Sequence, residues 1–162
     1  MGKLTIMESK LLLPNKFKLV GWCILIPATI AGIILTITGY EANWLTTNVF
    51  AFFTEGIFDD PTFFTFITTN VTNTLVGVII IVGALMVSFS QEKKEDEFIS
   101  RLRLSSLLWS VWVNYILLLL AFFFVYGLAF FNVMVYNMFT ILVIFIIRFN
   151  YILYKSGKTN PE

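Results

Sequence analysis

Three long runs in this chain contain no charged side chain: residues 19–40, 61–91 and 104–147, of 22, 31 and 44 residues. A helix that crosses the hydrocarbon of a bilayer needs about 20 predominantly apolar residues. The first two runs each hold one crossing. The third holds two, joined by a tight turn for which residues 127–132 (GLAFFN) are the evident segment. The expected fold is all-α and polytopic: a single transmembrane domain over residues 1–162, with four spans near 19–40, 71–90, 104–126 and 132–153.

Composition requires the same solvent. The chain is 58% apolar and 13% charged, with mean hydropathy +0.85; soluble domains run at about 45–50% and about 25%. A soluble fold of this size has no room to hide that much apolar surface, so the lipid bilayer is the first partner. Histidine is absent and Cys23 is the single cysteine. That removes the commonest general base and metal ligand, and any internal disulfide.

Lysine and arginine set orientation. Lys3, Lys10, Lys16 and Lys18 precede the first span, Lys93, Lys94, Arg101 and Arg103 separate the second from the third, and Arg148, Lys155 and Lys158 lie at the end of the fourth. The segment between the first two spans carries only acids: Glu41, Glu55, Asp59 and Asp60. All 11 basic residues thus fall on one side, which predicts cytoplasmic termini and an external segment 41–70. The first run is too long for the h-region of a signal peptide, about 7–15 residues, and no A-x-A-like site follows it. Cleavage is not expected.

Pro27 in the first span predicts a kink. The small residues Gly21, Ala28, Gly32 and Thr36 there, with Asn73, Gly77, Ala84 and Ser88 in the second, read as close-packing faces. In the external segment Leu45, Val49 and Phe52 or Phe53 recur at helical spacing. A short interfacial helix is expected, anchored by Trp44, with the second helix starting near Asp60-Pro61. Asn70-Val71-Thr72 matches a glycosylation sequon and reads as a chance match.

Residues 91–115 pass from dense mixed charge to none. With no glycine or proline from Gln91 to Tyr126, one rod is expected, projecting roughly 18 Å beyond the membrane. Lys93, Glu97 and Arg101 stand four apart, so opposite charges can pair along it. Asp96, Glu97, Arg101 and Arg103 are the candidate surface for a cytoplasmic protein partner, unless the arginines serve anionic headgroups. Asn114 lies deeper, where an amide calls for a partner on another helix. Arg148 falls near the level of Ser110. It either snorkels beside Tyr151 and Tyr154 or faces inward toward Asn114, Ser88 or the 95–97 carboxylates.

The string EDEFISRLRLSSLLWSVWVNYILLLLAFFFVYGLAFFNVMVYNMFTILVIFIIRFN resembles a group of uncharacterised small bacterial inner-membrane proteins. In these an acidic pair, here Asp96-Glu97, precedes a basic turn, here Arg101-Leu102-Arg103, leading into a span with tryptophan and asparagine. The resemblance covers about the C-terminal 65 residues. Such proteins are often encoded beside a small helix-turn-helix regulator, which implies a sensing or regulatory role and a multi-pass place in the inner membrane. The family has no established activity, so no catalytic residue carries over. The first-span glutamate of small multidrug exporters is missing here.

No H-E-x-x-H, G-x-S-x-G or Walker loop occurs, and no carboxylate lies within a span. The expected function is therefore a non-catalytic module, without cofactor, metal or nucleic-acid partner, that presents a cytoplasmic helix to a protein. The alternative is a small oligomeric transporter or channel.

Overall fold

The computed structural model describes residues 12–39, 44–54, 62–93 and 95–159. The Asp60-Pro61 helix start, the external acids Glu41, Glu55, Asp59 and Asp60, and the basic residues Lys3, Lys10 and Lys94 lie outside them. Where leucine, isoleucine, valine and phenylalanine run unbroken by charge, the backbone satisfies its own polar groups as helix. The helices are α1 (Lys16–Ile37), α2 (Thr72–Ser88), α3 (Glu97–Phe124) and α4 (Leu128–Thr159). Between α1 and α2 stand two strands, β1 (Thr46–Thr54) and β2 (Thr62–Asn70). Three helices, α1, α3 and α4, are long and apolar enough to cross a membrane; α2 is apolar but has 17 residues, about 26 Å at 1.5 Å per residue. The chain is a multi-pass integral membrane protein. Helix α1 continues through Pro27.

The chain divides into two compact units, Met1–Leu25 with Ile80–Glu162, and Ile26–Ile79. In the first, α1 and α2 pack antiparallel through glycine. A Cβ on Gly21 would lie 2.9 Å from the Val87 backbone nitrogen, and one on Gly83 would lie 3.1 Å from the Leu25 Cα. Missing side chains at these two positions are what let the backbones approach. Helices α3 and α4 form a second antiparallel pair about Gly127, whose φ of 69° suits glycine. Phe122 and Phe130 meet across that turn at 4.7 Å. The turn falls earlier than residues 127–132: the helix resumes at Leu128. The core of this unit gathers Leu25, Ala84, Val87, Ile99, Leu102, Phe145, Ile146 and Phe149 from all four helices.

The second unit corrects the expected interfacial helix. Residues 46–54 and 62–70 form an antiparallel hairpin, with Phe50 opposite Phe66 and Phe53 opposite Phe63. Threonine, valine, isoleucine and phenylalanine suit a pleated surface better than a helix. The spacing of Leu45, Val49 and Phe53, four apart each time, also places all three on one face of a strand. The second helix likewise starts at Thr72, not near Pro61, because residues 62–70 are committed to the ladder. Leu45 and the start of α2 are tied: Val71 N–H donates to the Leu45 carbonyl at 2.9 Å, and Leu45 N–H to Thr72 Oγ1 at 3.3 Å. Asn70 Oδ1 accepts from Thr72 N–H at 3.0 Å and from Thr72 Oγ1 at 2.6 Å. The sequon residues thus form a local cap at the start of α2.

Helix α3 is also shorter than the expected rod. It begins at Glu97, with Asp96 as its N-cap accepting from Ile99 N–H at 2.8 Å. No breaker residue stops it earlier. Ser90, Gln91, Glu92 and Glu95 are held off the helix by their partners in the fold.

Candidate functional site

Those partners define the most elaborated polar region among the described residues. The segment before α1 runs beside the segment after α2: Leu13 N–H donates to the Phe89 carbonyl at 2.9 Å, and Gln91 N–H to the Leu13 carbonyl at 2.8 Å. Asn15 Nδ2 adds a bond to the Gln91 carbonyl at 2.6 Å. Lys18, in the first turn of α1, pairs with Glu92. Arg103, on α3, pairs with Glu95 at 2.8 Å and donates to the Ser90 carbonyl at 3.2 Å. Glu95 also accepts from Glu92 N–H at 2.8 Å. Phe149 of α4 completes the cluster: the Lys18 ammonium lies 5.9 Å and the Arg103 guanidinium 5.4 Å from its ring centroid, where the π-face attracts a cation.

This latch brings together the start of α1, the end of α2, the start of α3 and the last third of α4. Its two ion pairs are largely shielded, with side-chain exposures of 17% and 12% for Lys18–Glu92 and 11% and 22% for Arg103–Glu95. Shielded pairs fix geometry more surely than they add net stability, because desolvation offsets much of the attraction.

Three of the four candidate partner-surface residues, Asp96, Glu97 and Arg101, remain on the surface. Glu97 and Arg101 pair at 2.6 Å along α3, both about 70% exposed, with Phe98 exposed beside them. Arg103 is inside the latch, 9% exposed, and Asp96 is committed to the cap. Lys93 precedes the helix, so Glu97 takes Arg101 as its partner instead.

Further along α3 the buried face is polar and small: Arg103, Ser106, Ser110 and Asn114. Asn114 meets Asn137 of α4 in a reciprocal amide pair at 3.2 and 3.3 Å. Arg148 faces neither Asn114 nor the carboxylates; its guanidinium lies over the Trp109 ring at 4.4 Å. Ser88 is 2% exposed, and its hydroxyl and that of Ser106 have no hydrogen-bond partner. Among the described residues no three His, Cys, Asp or Glu side chains converge as a metal site.

Sequence reasoning missed Glu92 and Asn137, took Lys18 only as a mark of orientation, and offered Glu95 to Arg148 where the structure gives it to Arg103. For Asn137 a signal existed, since Asn114 and Asn137 flank the Gly127 turn at comparable distances. For Lys18–Glu92 and Asn15–Gln91 there was none, because the partners are 74 and 76 residues apart along the chain. Compared with family models, with curated proteins and with solved structures, the chain matches none.

Proposed function

We propose that all four helices cross a bacterial inner membrane, with both termini and residues 91–104 cytoplasmic and residues 41–70 external. The protein is then a non-catalytic module that offers the exposed start of α3, Glu97, Phe98 and Arg101, to a cytoplasmic protein, in a sensing or regulatory role. The observation that carries this reading is the latch. Parts of four helices, α1, α2, α3 and α4, meet at one pole, as four alternating passes allow, and that pole holds Lys18 and Arg103. The latch also gives the α3 surface a fixed base.

Topology is tested with single cysteines at Asp59 and Lys94 in a Cys23→Ser background; an impermeant reagent added outside intact cells should label only the first. Partner capture is tested by swapping the pair, Glu97→Lys with Arg101→Glu. The swap keeps an i,i+4 attraction while reversing the surface. Crosslinked capture from native membranes should be lost with insertion intact; retention of the same proteins would remove the reading.

One observation favours the transporter or channel alternative, namely the buried polar face of α3 with the unpartnered hydroxyls of Ser88 and Ser106. Ion or solute flux through reconstituted protein, reduced by Ser106→Ala, would establish it. The module reading expects no flux.

A further inference from the structure

Beside the latch lies an open groove of about 510 Å³, within the range of pockets that hold small ligands. Its lining divides by chemistry. Leu19, Ile99 and Leu153 supply apolar walls, and Lys18, Glu92 and Lys93 supply charge, with Asn15 alongside. The Lys18–Glu92 pair is largely shielded, and Asn15 is bonded to the Gln91 carbonyl, so this wall is held in place. Lys93 is exposed and makes no ion pair among the described residues. An ammonium has three donors, so Lys18 keeps donors beyond the one given to Glu92. The lining carries one net positive charge, from two lysines and one glutamate.

Position adds a second argument. Leu19 is the first residue of the first uncharged run, so the groove opens where a span passes from headgroups into hydrocarbon. A ligand fitting it has an anionic head and an apolar body. We propose that the groove binds one anionic phospholipid, its phosphate between Lys18 and Lys93 and an acyl chain along Leu19 and Leu153. A zwitterionic headgroup fits less well. Its ammonium would sit beside two lysines, and Glu92, the carboxylate in the lining, is already paired. The proposal rests on reading α1 as a membrane span, but on neither the orientation nor the protein partner proposed above.

The test uses full-length protein, delipidated in an uncharged detergent and titrated with dioleoyl phosphatidylglycerol or dioleoyl phosphatidylcholine, with adducts counted by native mass spectrometry. One phosphatidylglycerol should be retained and phosphatidylcholine should not. Lys93→Gln should weaken retention about five-fold, as expected for one lysine at an anionic headgroup, and Lys93→Glu should weaken it further. Lys155→Gln, outside the groove, should leave it unchanged. Circular dichroism of each variant establishes that helix content is intact. Equal retention of both lipids would overturn the proposal, and so would equal losses for Lys93→Gln and Lys155→Gln, which would mark diffuse charge. Displacement of the lipid by glycerol phosphate would show that the site reads the phosphate alone, and would overturn it too.

Discussion

Phe149 and Phe66 are the same residue in opposite situations. Phe149 is 2% exposed, with its ring beside two cations and a second phenylalanine, Phe145, stacked at 5.8 Å. Phe66 is 75% exposed and touches Phe50 across the hairpin at 5.4 Å. Phe50, Phe52, Phe64 and Phe66 form one aromatic face, and charge is absent from both strands. Around Phe149, ion pairs and backbone bonds from four helices converge, so its position is set many times over. Around Phe66, strand alternation and one cross-strand neighbour set it. Even the ladder yields locally there. Phe64 has φ 53°, a left-handed conformation costing about 1–3 kcal/mol for such a residue, and no Phe52–Phe64 pair closes between the neighbouring pairs. Apolar surface alone gives a region its medium; directional polar contacts give it a specific geometry.

The largest effect should come from breaking the latch. Arg103→Met leaves the Ser90 carbonyl without the Arg103 donor and the Glu95 carboxylate with the Glu92 N–H alone, which should cost about 2 kcal/mol. A clear fall in the detergent Tm is expected, partly recovered by adding Glu95→Gln. If Arg103→Met alone leaves Tm unchanged, the latch is no more defining than the hairpin.

Next comes the glycine contact. Gly21→Ala places a methyl 2.9 Å from the Val87 backbone nitrogen, so α1 and α2 must separate. Overpacking of this kind costs about 1–3 kcal/mol, and a disulfide-scanning series between these helices should shift to longer separations.

A smaller effect belongs to the amide pair. Asn114→Leu should lower Tm by the equivalent of about 1 kcal/mol, with Asn114→Gln doing less. Adding Asn137→Leu should cost less than a second full loss, because the orphaned amide is removed. A stabilising Asn114→Leu would show that the pair is dispensable.

The smallest effect is expected in the hairpin. Phe66→Ser removes an aromatic pair worth about 0.5–1.5 kcal/mol to the ladder, yet hydrogen exchange at residues 99–114 should not change. Faster exchange there would make the two regions one cooperative unit and end the contrast.

The sequence by itself determined the medium and the number of apolar elements. Charge-free length is a local property, and the cost of leaving backbone groups unbonded in lipid puts a helix in each such run, although the run 61–91 also holds β2. It also determined which helix ends are basic, and it placed asparagines on both sides of the last turn. The tertiary structure decided the rest. Whether residues 46–54 and 62–70 are helix or hairpin turned on cross-strand partners, from Thr54 with Thr62 to Thr46 with Asn70, which no local period reports. Helix α3 starts at Glu97 because Gln91, Glu92 and Glu95 are engaged by Leu13, Lys18 and Arg103, although nothing local forbids an earlier start. Glu95 and the Ser90 carbonyl hold Arg103 in the interior, away from the expected surface, and Arg148 lies over Trp109. A charged side chain in a membrane protein goes where its partner is, and for Lys18 and Arg148 that partner lies on an element distant in sequence.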